Sequence, residues 1–104
     1  MDLVDLIYTT SRSFPKQELY GLTSQIRRAA VSVPSNIAEG QGRRTKGEFQ
    51  QALSVAHGSI REVETQITIA TRQGFTAPEV EAAVLNLAAE VGRLVQGLMH
   101  SLTR

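Results

Sequence analysis

Two histidines, ten carboxylates and no cysteine are the residues from which this chain could build a metal or acid–base site. A carboxylate-bridged di-metal centre on helices needs Glu-x-x-His on two helices and two further inward glutamates. Three residues ahead of His57 stands Ser54, and three ahead of His100 stands Gly97, so neither histidine fits. The zinc arrangement His-Glu-x-x-His is missing as well. Nucleophilic catalysis asks for a base beside its nucleophile. His57 and Ser59 are close in sequence, but residues two apart on a helix point to different sides. The expectation is a protein that is not an enzyme and holds no metal and no cofactor.

The remaining chemistry is cationic. Residues 21–47 carry Arg27, Arg28, Arg43, Arg44 and Lys46 against Glu39 alone, whereas the whole chain has a net charge of only +1. Gly40 to Gly47 is glycine-rich and basic, yet it lacks the Gly-x-x-x-x-Gly-Lys-Ser/Thr spacing of a P-loop, and no strand precedes it. Arg43 and Arg44 suit backbone phosphates, aided by the dipole at the start of the next helix. The alternative is a flexible helix–helix turn with solvated charges. No aromatic residue is interleaved with these arginines in the sequence, so base stacking finds no support there.

The elements that must position these groups are helical throughout. Apolar residues recur every three or four positions, and no stretch alternates with period two. Leu3, Ile7, Thr10 and Phe14 define a first helix that should end near Arg12 or Ser13, ahead of Pro15. Pro15 is then placed to open the next helix. Leu19, Leu22, Ile26, Ala29 and Val33 mark a second apolar face. Pro34 sits inside it, at a cost of roughly 3 kcal/mol in a helix interior. Ile37 and Ala38 continue the face, so the spacing predicts one long helix, kinked near Pro34 and running to about Gly42. Gly40 and Gly42 weaken its end. Thr45 and Glu48 have the spacing of a capping box for a third helix.

That third helix has the cleanest pattern: Phe49, Leu53, Ala56, Ile60, Val63, Ile67 and Ala70 form a seven-residue repeat. Gly74 suits its C-terminus. Thr76 is then the expected N-cap of a fourth helix with Pro78 in its first turn. Val80, Val84, Leu87, Val91, Leu94, Leu98 and Leu102 give that helix the same repeat. Short connections favour antiparallel neighbours. The expected architecture is all-α, an antiparallel up-down-up-down four-helix bundle in a single domain over residues 1–104. No apolar run is long enough to span a membrane, and Met1, Asp2 and Leu3 do not open a signal peptide. The expected compartment is the cytoplasm.

Several fragments together resemble one family. They are Phe14-Pro15 with Glu18, the run Gly21 to Pro34, Asn36-Ile37-Ala38-Glu39-Gly40 with Gly42-Arg43, and Ala56-x-Gly58-Ser59 with Glu62 and Glu64. The chain is similar over residues 3–102 to the bacterial four-helix-bundle proteins known as 23S rRNA intervening-sequence proteins, and the stretch Leu22 to Gly42 is the most specific part. The resemblance implies a bundle that assembles into a closed ring, a homopentamer. A structural relative, the accessory protein of diversity-generating retroelements, is a basic pentameric barrel that binds nucleic acid, which makes RNA or DNA the expected further partner. Family members begin a turn or two earlier, so a shorter first helix is expected here.

The matched polar residues Asn36 and Glu39 have two readings. Asn36 can satisfy carbonyls left without partners by Pro34, with Glu39 paired to Arg27 or Arg28 of the same or a neighbouring subunit. The alternative is that the cluster binds a ligand. Gly58-Ser59 reads as a point where helices pack closely. Taken together, the residues point to a non-catalytic oligomer binding nucleic-acid backbone through Arg27, Arg28, Arg43, Arg44 and Lys46; the alternative is a protein-interaction scaffold.

Overall fold

The computed structural model describes residues 2–103. Met1 and Arg104, counted above in the reading of the termini and charge, lie outside them. The described chain is helical, with α1 at Asp2–Ser11, a single 3-10 turn at Lys16–Glu18, α2 at Leu22–Gln41, α3 at Lys46–Arg72 and α4 at Pro78–Ser101. Among the described residues there is no strand. The molecule measures 44 × 24 × 18 Å. At 1.5 Å per residue the 27 residues of α3 run nearly its full length.

The helices pack as a closed square: α1 against α2, α2 against α3, α3 against α4, and α4 back against α1. One core joins them. On α3 the expected stripe is buried from Leu53 through Ala56, Ile60, Val63 and Ile67 to Ala70. Phe49, ahead of it, is half-buried against the same core. Leu3 and Ile7 come from α1, and Ile26, Ala29, Ala30 and Val33 from α2. Phe14 is buried just after α1, with its ring 6.0 Å from that of Phe75, so two connections clasp at one end of the bundle.

α2 runs unbroken through Pro34, as the apolar face on both sides of the proline requires. Asn36 Nδ2 donates to the Ser32 carbonyl at 2.8 Å and to Ser32 Oγ at 2.9 Å. The carbonyl it satisfies is therefore that of Ser32. The one that Pro34 deprives of a backbone N–H is four residues before the proline, on Ala30.

The helix ends follow their capping residues. Thr45 is extended, and its Oγ1 accepts from the Glu48 N–H at 3.1 Å. At the other end of α3 the Phe75 N–H reaches the Ala70 carbonyl at 2.9 Å and the Gly74 N–H reaches Thr71 at 3.0 Å. These two bonds form a Schellman motif, and Gly74 supplies the positive φ of 79° that it demands.

Four expectations are corrected. Pro15 does not open a long helix; it precedes only the short 3-10 turn, and α2 begins at Leu22. Leu19 therefore lies outside α2 and is half exposed. Ala77, not Thr76, is the N-cap of α4, and it supplies no side-chain bond; Pro78 takes the first helical position, where its missing N–H costs nothing. The heptad stripe on α4 holds at Val84, Leu87 and Val91, and at Leu102 beyond its end, but not at Leu94 and Leu98. Leu94 is 65% exposed and Leu98 38%, whereas Val84, Ala88 and Val95 are buried, with Met99 and Leu102 packed beside them. The departure is confined to the last turns, where Val95 and Met99 take the inward positions in place of Leu94 and Leu98.

Gly58 is exposed, and a Cβ there would meet nothing within 4 Å, so it is not a close-packing point between helices of one chain. Gly40 is. A Cβ at Gly40 would lie 2.7 Å from Phe49 Cδ1 and 2.9 Å from Ala52 Cβ, so the bare backbone of α2 lets the start of α3 approach. Gly40→Val should destabilise the fold by about 2 kcal/mol through overpacking. Gly42→Ala, at a residue with φ of −85° and ordinary contacts, should be neutral or slightly stabilising. Urea denaturation of the two variants measures the difference. Thr45→Ala should cost about 1 kcal/mol in the same assay by removing the cap of α3.

Candidate functional site

The basic residues divide into two groups. Arg27 and Arg28 lie in the second turn of α2, and Arg43, Arg44 and Lys46 lie around its far end. Fifteen residues separate Arg28 from Arg43, about 22 Å along a helix. One chain therefore does not gather all five on one patch.

Arg27 is half-buried and held on two sides. Its Nε donates to Ser11 Oγ at 2.7 Å, and its guanidinium carbon stands 4.8 Å from the centroid of the Tyr8 ring. Ser11 can receive it because the residue is buried at the end of α1, where its own hydroxyl turns back to the Tyr8 carbonyl at 3.3 Å. Arg28 is exposed one position on. Together with Tyr8, Leu19, Tyr20 and Val31 these arginines line a groove of about 570 Å³ between α1 and α2. No carboxylate lines it among the described residues. The nearby Glu18 has its Oε1 3.3 Å from the Leu22 N–H. Sequence inspection missed the two tyrosines of this groove, because Tyr8 comes from α1 and Tyr20 from the turn before α2.

The second group is less uniformly basic. Arg43 pairs with Glu39 one turn earlier, so the partner of Glu39 within the chain is Arg43 and not Arg27 or Arg28. This pair is exposed, which limits its contribution to a fraction of a kcal/mol up to about 1 kcal/mol. Asn36, Glu39 and Arg43 do come together, sharing a groove of about 350 Å³ with Glu48, Gln51 and Val55 between α2 and α3. Two carboxylates there work against an anionic ligand. Arg44 and Lys46 are exposed at the turn, and neither makes an ion pair among the described residues.

A hydroxyl pair crosses from α2 to α3. Ser59 Oγ donates to Ser32 Oγ at 2.8 Å, and Ser32 also receives Asn36. Ser59 is thus committed to α2. His57 faces α4 instead, its Nε2 3.3 Å from Gln96 Nε2. Among the described residues no three histidine, cysteine or carboxylate side chains converge as a metal site would need, and no helix is long and apolar enough to cross a membrane.

The geometry invites comparison with known proteins. No curated protein matches the chain. Among solved structures it is similar to a protein of unknown function from the S23 ribosomal protein family of Bacteroides thetaiotaomicron VPI-5482, with 20% identity and a TM-score of 0.82. That match covers 93% of this chain and 90% of the other, and it supports the helical fold. The family model of the 23S rRNA-intervening sequence protein matches residues 1–97, nearly the whole chain. This protein therefore belongs to the 23S rRNA-intervening sequence protein family.

Proposed function

We propose that this protein is a non-catalytic, cytoplasmic homo-oligomer, a pentamer as its sequence resemblance implies, that binds RNA or DNA through backbone phosphates. The observation that carries this reading is the set of cations left over by the fold. Arg28, Arg44 and Lys46 are exposed and make no ion pair among the described residues, and the groove holding Arg27 and Arg28 contains no carboxylate. Each copy supplies the set again, and linked weak contacts add through effective concentration.

Self-association is supported by what α3 and α4 leave uncovered. Val55, Ile69, Leu94 and Leu98 are exposed. Gly92 and Gly97 are helix-interior glycines with open space where a Cβ would stand. Such glycines cost a helix about 0.5–1 kcal/mol each relative to alanine, and another helix approaching closely would offset that. The same residues favour the second reading, a protein-interaction scaffold whose arginines serve subunit contacts.

Titrating short RNA and DNA at roughly 50 and 200 mM salt tests the first reading. Neutralising three phosphates should weaken binding roughly 40-fold across that interval. No binding at low salt, or affinity indifferent to salt, rejects it. Charge reversal of Arg43 and Arg44 should weaken binding and leave the molar mass by light scattering unchanged; loss of the oligomer instead supports the scaffold. Leu94→Lys should lower the molar mass.

A further inference from the structure

The groove that holds Arg27 and Arg28 also holds both tyrosines of the chain. Tyr8 already has one face against the Arg27 guanidinium. Tyr20 is different: it is 94% exposed, a large ring left almost wholly in water at the mouth of a groove. The groove, of about 570 Å³, is open to solvent rather than enclosed.

Arg27 is fixed on the side away from its terminal amino groups. Its Nε is committed to Ser11 and its face to Tyr8, while the terminal N–H donors have no partner among the described residues. An arginine already ordered in this way loses less freedom when it meets an anion, and its planar fork matches the oxygens of a phosphate. Arg28 adds a second charge beside it. The adjoining groove, which shares Arg28 and Ser32, contains Glu62, so anions are favoured on the tyrosine side.

We infer that this groove is a subsite for single-stranded nucleic acid, in which one base stacks on Tyr20 and a neighbouring phosphate meets Arg27 and Arg28. The inference rests on the nucleic-acid reading above and adds the site, the mode and the strandedness. Bases inside a duplex are already stacked on one another and offer Tyr20 no face. A single strand does, and every base has a face to offer, so the subsite is tolerant of sequence.

The chain has two tyrosines and no tryptophan, so its tyrosine emission arises from this groove alone. The test titrates the full chain with oligo-dT, oligo-U and a duplex of equal length at one low salt concentration, with free tyrosine as the optical control. Both single strands should quench the emission and the duplex should not. Tyr20→Ala should bind single strands about ten-fold more weakly, Tyr20→Phe should restore wild-type affinity, and the duplex should bind both variants equally. With Tyr20 so exposed, the helical circular dichroism of both variants should match wild type. Single-strand binding with unquenched emission and no effect of Tyr20→Ala overturns the subsite and leaves the phosphate-binding reading standing. If none of the three binds, both readings fall.

Discussion

Burial of one stripe on α3 is the interaction on which the other helices assemble. Leu53, Ala56, Ile60, Val63, Ile67 and Ala70 are at most 2% exposed, and α3 packs against both α2 and α4. Each large aliphatic residue contributes about 1.5–3 kcal/mol when removed from water. The two alanines keep the helices close enough for the rest to meet. Among the described residues α1 does not pack against α3; it packs on α2 and α4, the two helices that this stripe holds.

The α2–α3 contact is tightened at two further places. At one end Gly40 admits Phe49 and Ala52. Near the middle Ser59, only 5% exposed, donates across the seam to Ser32, which also accepts from Asn36 of its own helix. A buried hydroxyl without a partner would oppose folding, whereas the Ser59–Ser32 bond favours the register in which the two helices meet. Within the chain, the polar residues of the family-like segment around Pro34 bond close by: Asn36 to Ser32 of its own helix, and Glu39 to Arg43 one turn on.

Much of this was legible from residue spacing. The α3 stripe was plain because its apolar residues occupy a single narrow face, and the cap at Thr45 and the turn at Gly74 follow from local chemistry. The α4 stripe misled only at Leu94 and Leu98, because that helix has apolar residues on more than one face. Leu94 and Leu98 continue a seven-residue rhythm, while Ala88 and Val95 sit where a straight helix turns inward. Gly40 and Gly58 look alike in sequence, and only tertiary contact separates the glycine that is needed from the one that faces open space. The arginine–tyrosine groove could not be read at all from linear spacing, since Tyr8, Tyr20 and Arg27 belong to three different elements.

The closure of the helical square has a consequence for how the chain folds. Three of its four sides join helices consecutive in sequence, and only the α1–α4 side brings together distant parts of the chain. The loop-closure entropy of that side is met once, after the local helix pairs have formed. With ten residues, α1 is below the length at which an isolated helix holds its shape in water. On these grounds its backbone amides should exchange with solvent ahead of those of α3.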